Sequence, residues 1–176
     1  MSKEHDKDWF LSVDWDKVTS QHTDYILSEA KGALRTSLTS SDSLDKKSFI
    51  ILTGCAGYIS ILLPFVFNSN SVDFIIPSII LVVGALAALL TLIWGIKTRV
   101  YFTEHNNPKN TLTSESMREP YKRFLFWEIV SCHVWNEHNE ELNTHKGKLI
   151  NISLFILAIT FVIAIVIYVI ISYCSS

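Results

Sequence analysis

Three runs of about twenty or more residues are almost devoid of charge, and they constrain this chain more than any other feature. Between Ser48 and Ile96 one charged residue occurs, Asp73, and from Leu149 to Ser176 there is none. A bilayer core about 30 Å thick is crossed by about 20 apolar residues of helix. Three stretches meet that length: 48–67, 74–96 and 149–172. Backbone polar groups in hydrocarbon must be satisfied within the segment, so such spans are helices. A β-barrel would need alternating strands of about ten residues, and these runs are apolar all round. The predicted fold class is therefore an all-α integral membrane protein with three transmembrane helices.

The remaining charge fixes an orientation. All 15 Lys and Arg fall before Ser48 or between Lys97 and Lys148. By the positive-inside rule both segments are expected on the cytoplasmic side. The domain layout that follows has a cytoplasmic N-terminal helical segment, 1–47, and a transmembrane hairpin, 48–96, turning tightly through 68–73. A cytoplasmic loop and helix, 97–148, leads to the third span, 149–172. The N-terminus is then inside and the tail 173–176 outside. No cleavable signal peptide is expected from so polar a beginning.

Apolar residues recur near helical spacing at Val18, Ile26, Ala30, Ala33, Leu34 and Leu38, which predicts an amphipathic helix interrupted by Gly32. Ser40–Lys47 then offers serine and aspartate to cap a new helix carrying the first span. Ahead of it Trp9, Phe10, Val13 and Trp15 form an aromatic cluster among acids. A loop is predicted over 104–110, and a helix restarts near Ser116 with Pro120 in its first turn. Tyr121, Leu125, Ile129, Cys132, Trp135 and Leu142 share a face of that helix, which can run past Lys146 and Lys148 into the third span. Two such stripes make a small core, and burying them across copies predicts a homo-oligomer.

Catalysis finds no support in the residues. The spans lack the ionisable groups at depth that proton-coupled transport or intramembrane proteolysis requires. His133 and His138 are five apart on a helix, unlike the three- or four-residue spacing of zinc pairs, and no metal or cofactor is expected. Cys55, Cys132 and Cys174 show no redox or disulfide spacing. The first 47 residues balance 7 Lys/Arg against 9 Asp/Glu, so duplex nucleic acid is not an expected partner.

Small residues at Gly54, Gly57 and Ser60, and at Gly84 and Ala88, mark faces where helices can approach closely. The third span, rich in Ile, Leu, Val and Phe, reads as lipid-facing. Thr53 and Ser60 are the candidate pore-lining residues. Lys46, Lys47, Lys97, Arg99, Lys146 and Lys148 lie near the membrane. They serve topology and headgroup attraction, or, repeated around an oligomer, ring a vestibule that favours anions. Arg118, Tyr121, Lys122 and Arg123 are a candidate ligand cluster, since arginine beside aromatic groups can hold phosphates and stack bases. The bland alternative is a solvated face beside a core stripe.

The layout resembles the small transmembrane effectors of bacterial anti-phage nucleotide-signalling systems, the Pycsar-effector and Hailong types. The resemblance rests on three places. An acid-then-lysine step, Asp45-Lys46-Lys47, leads into span one, and spans one and two form a tight hairpin. A long helix through 139–148 then reaches a lysine just before span three. It covers most of the chain from about Tyr25. Ser48 stands where those proteins commonly have alanine, and the Trp/Asp-rich N-terminal segment is unmatched. The resemblance implies a multi-pass protein of the bacterial inner membrane whose partners are the lipid bilayer, further copies of itself and a nucleotide signal from a partner nucleotidyltransferase. Its expected action is an ion channel or membrane-disrupting pore controlled by that signal. The alternative is a non-conducting scaffold that recruits a soluble partner through residues 97–148.

Overall fold

The computed structural model describes residues 13–14, 17–69, 71–96, 101–103 and 120–174. The described residues are all-helical. They form three helices: α1 (Ser20–Asn68), α2 (Val72–Ile96) and α3 (Tyr121–Cys174). Each contains a stretch long and apolar enough to cross a membrane. Trp9, Phe10, Trp15, the 104–110 loop, Ser116 and Ser175-Ser176 lie outside the described residues.

α1 begins where Thr19 can cap it. The Thr19 hydroxyl accepts a bond from the His22 amide at 3.3 Å, and the Thr19 carbonyl accepts one from the Thr23 amide at 3.0 Å. A hydroxyl oxygen in that place satisfies one of the donors a helix start leaves open. From there the helix runs 49 residues without a break. This corrects the expectation of a new start at Ser40–Lys47, and Gly32 does not interrupt the helix either. Just ahead of this stretch the hydroxyl side chains bond back to their own helix. Thr36 donates to the Gly32 carbonyl at 2.9 Å, Ser37 to Leu34 at 2.8 Å and Thr39 to Arg35 at 3.0 Å. Ser41 and Ser48 turn inward.

The link to α2 is short. The Ser69 amide bonds the Phe65 carbonyl at 3.3 Å, and the Phe74 and Ile75 amides both reach the Ser71 carbonyl at 3.2 Å. Asp73 sits in the first turn of α2, where a carboxylate faces the positive end of the helix dipole. α3 starts directly after Pro120, whose carbonyl accepts the Arg123 amide at 2.8 Å. It is one helix of 54 residues and passes Lys146 and Lys148 without interruption.

Contacts divide the chain into two units. One combines Met1–Ser40 with Val100–Glu141, and the other combines Ser41–Arg99 with Leu142–Ser176. In the first unit Leu34 of α1 and Leu125, Ile129 and Cys132 of α3 are buried, with Thr23, Ser37 and Asn139 as buried polar members. Of the predicted stripes, Trp135 is half-buried, while Ala33 and Tyr121 are exposed.

In the second unit the packing is small-sided. Cys55, Ala85 and Ala88 form its centre, packed by Ile51, Tyr58, Ile59, Leu89, Ile156 and Leu157. On α2 the buried set Ser78, Ala85 and Leu92 recurs every seven residues. That recurrence keeps one seam turned toward a neighbouring helix. Gly84 lies directly against Thr160, so close that a Cβ there would sit 2.6 Å from the Thr160 Cβ. Gly95 approaches Leu149 in the same way, at 3.1 Å. Span three is therefore not simply a lipid-facing helix, because Ser153 and Ala164 are buried on the stripe that carries Thr160. Its other sides expose Ile152, Phe155, Ile159 and Val162, hydrocarbon suited to lipid.

Candidate functional site

The exposed side of α1 within the second unit carries more hydroxyl and small residues than the outward surfaces of α2 and of span three, although Asn151 is exposed at the start of the latter. The exposed residues of α2 from Val72 to Ile96 are all apolar, and so are those of α3 from Ile152 to Val166. On α1 the exposed positions include Lys46, Lys47, Thr53, Gly54, Ala56, Gly57 and Ser60. Lys46, Thr53 and Ser60 are seven residues apart, two turns less about 20°, so they lie in one line along the helix. Gly57 falls between the last two. The Ser60 hydroxyl donates to the Ala56 carbonyl at 2.9 Å and keeps its lone pairs outward. Phe49, Ile50, Thr53, Gly54, Gly57, Tyr58 and Ile61 line a shallow open groove of about 560 Å³ on this side.

Gly54 and Gly57, small residues on which helices could approach, do not serve that purpose within the chain. Nothing lies within 4 Å of the place a Cβ would take at either. The intramolecular close approaches fall on Gly84 and Gly95 instead. Of the other weakly polar residues at depth, Ser78 is buried, and the Thr91 hydroxyl bonds the Ala87 carbonyl at 2.9 Å.

The basic residues separate into different environments. Lys46, Lys47 and Lys148 are exposed. Lys146 is 6% exposed and turned into the protein. Its Nζ bonds both Asp45 carboxylate oxygens, at 2.7 and 2.9 Å, and the Ser41 hydroxyl at 3.3 Å. An ammonium has three donors and no acceptor, so these three bonds satisfy it fully. The two charges sit at the level where α1 and α3 each begin their apolar runs. Lys97 and Arg99 lie outside the described residues.

The ligand cluster is less concentrated than its sequence suggests. Arg118 lies outside the described residues. Tyr121 is exposed and donates its phenol to the Asp24 carboxylate at 3.3 Å, which brings an acid to this face. Lys122 is half-buried and Arg123 exposed. Consecutive helix positions diverge by about 100°, so these three side chains leave α3 in different directions.

Sequence reasoning missed Asn139. This side chain is fully buried and holds the 101–103 segment. Its Oδ1 accepts the Phe102 amide at 3.1 Å, and its Nδ2 donates to the Phe102 carbonyl at 2.9 Å and toward Ser37 at 3.4 Å. Both backbone groups of Phe102 are thus satisfied by one amide. The Phe102 ring stacks on Trp135, with centroids 5.6 Å apart and planes 8° from parallel, and meets His138 edge-on. His133 lies 3.8 Å from Glu137 on the same helix. Among the described residues no three His, Cys, Asp or Glu side chains converge as metal ligands would.

The described residues are thus all-helical, with three helices long and apolar enough to span a membrane. Comparison with protein-family models, with curated proteins and with solved structures finds no match.

Proposed function

We propose that the chain is a homo-oligomeric membrane effector that forms an ion-conducting pore, with α1 lining the conducting path. One observation carries this reading. The outward side of α1 bears several hydroxyls and small residues in line with exposed lysines, whereas α2, and α3 over 152–166, expose hydrocarbon, with Asn151 the exposed polar residue at the start of span three. Lipid gives such a stripe no stabilising contact, while water in a narrow path hydrates Thr53 and Ser60. Several copies with their α1 stripes turned inward enclose that path between low-polarity walls. Phe49, Ile50 and Ile61 beside the stripe supply the apolar constriction that closes small pores by dewetting. Lys46 and Lys47 at the cytoplasmic end set an anion preference.

Control by a nucleotide belongs to the same proposal. The resemblance of Asp45-Lys46-Lys47 and of 139–148 to anti-phage effectors supports it, and Lys122 and Arg123 are the described basic residues of the candidate site. The protein would then sit in the bacterial inner membrane with its charged segments inside. The test is current across planar bilayers holding the purified protein, with and without candidate nucleotides. Discrete openings that a nucleotide modulates support the proposal. A silent bilayer under every condition favours the scaffold reading, in which residues 97–148 recruit a soluble partner.

A further inference from the structure

We infer that the Lys146–Asp45 pair is a catch that holds α1 against α3 in the closed protein, and that its release is the step that opens the conducting path. This rests on the pore reading above. The pair joins two helices through residues 101 positions apart in the chain, at 2.7 Å. Lys146 is almost wholly enclosed, while the Asp45 side chain is 48% exposed. The buried ammonium therefore depends on a carboxylate that solvent can reach.

The surroundings make this contact decisive. From Ser41 to Cys55 the buried positions of α1 are Ser41, Ser48 and Cys55, all small. Over 142–153 α3 buries Leu142, Lys146, Ile150 and Ser153. The Ser153 hydroxyl is bonded to the Leu149 carbonyl at 2.9 Å and reaches the Ala88 carbonyl of α2 at 3.3 Å. Apolar packing of α1 over this stretch comes from half-buried side chains, Leu44 and Ile51 among them, and a directional charge contact adds to it in selecting the arrangement. A polar residue inside a helical seam characteristically fixes one register at a cost in stability. Asp45 also adjoins Lys46 and Lys47, so movement of this turn repositions the lysines that face the path. Release removes the Asp45 carboxylate from the buried Lys146 ammonium, and water or an anion taking its place favours a wetted, open state.

The test uses the full chain in liposomes and in nanodiscs. Lys146→Met keeps the apolar stem and removes the charge, Asp45→Asn removes the acceptor charge, and Lys146→Arg preserves the pair. The double exchange D45K/K146E restores it with reversed sign. Ion leak without nucleotide is expected to rise about tenfold or more in K146M and D45N. K146R and the double exchange return toward the wild-type leak. Wild-type leak in folded K146M and D45N, or a double exchange as leaky as the single variants, overturns the inference. If no form conducts under any condition, the pore reading has failed, and amide hydrogen exchange over 41–48 then decides the catch itself. Faster exchange in K146M and D45N that recovers in the double exchange supports a catch, and unchanged exchange overturns it.

Discussion

Replacing Gly84 with alanine adds one methyl group at the tightest helix approach in the protein. The new Cβ would stand 2.6 Å from the Thr160 Cβ and closer still to its branch atoms. Ordinary carbon contacts begin near 3.5 Å. A rotation of Thr160 cannot relieve this, because its Cβ is fixed by the backbone. The helices must separate by about 1 Å, which weakens the neighbouring contacts of Ala85, Ala88 and Ser153. Overpacking of this kind costs about 1–3 kcal/mol, partly offset by the better helix propensity of alanine. For a chain of this size that is a fall in melting temperature of about 2–10 °C. Thermal unfolding in nanodiscs, followed by circular dichroism, reads it directly. Thr160→Gly removes the opposing Cβ, so G84A/T160G should lose less than the two single changes added together. An undiminished melting temperature in G84A, or strict additivity in the double variant, refutes the α2–α3 approach.

Gly57→Ala is the matching control. Nothing lies near that position, so the folded chain should be unchanged or gain up to about 1 kcal/mol. The same melting experiment checks it. Asn139→Ala leaves the Phe102 amide and carbonyl without their partner and should cost about 1–3 kcal/mol. Hydrogen exchange at the Phe102 amide should accelerate, and an unchanged rate would count against the Asn139 clamp. Lys46→Glu with Lys47→Glu should move the reversal potential of any current from anion toward cation preference. Lys122→Glu with Arg123→Glu should weaken control by an anionic ligand, and unchanged ligand affinity removes those residues from the site.

The spans were legible because membrane crossing imposes length and apolarity on a continuous run, and both can be counted. The continuity of α3 through Lys146 was legible as well, as no proline stands between Tyr121 and the third span and Gly147 is a lone glycine. Ser40–Lys47 misled because serine and aspartate mark helix starts in isolation. In the folded chain Ser41 and Asp45 instead hold Lys146, a tertiary partner that local propensity does not contain. The seam of α3 was hidden by its chemistry. Cys132, Asn139, Lys146, Ser153 and Thr160 recur every seven residues. A search for apolar periodicity passes over that line, since most of its members are polar. An isolated lysine before a span reads as a topology signal, and its inward turn becomes visible only with the carboxylate that receives it. Gly54 and Gly57 stand out by size alone, which marks a face as open to approach without saying what approaches.

The most direct measurement is the block of current by a charged thiol reagent at single cysteines, after Cys55, Cys132 and Cys174 are replaced by serine or alanine. Thr53→Cys and Ser60→Cys place the thiol on the outward stripe of α1, and Ile159→Cys places it on the hydrocarbon side of α3. If α1 lines the conducting path, a water-soluble methanethiosulfonate reduces current at positions 53 and 60 and leaves the 159 variant untouched. Equal insensitivity at all three positions in a conducting protein would contradict α1 as the lining helix, and so would block at 159 alone.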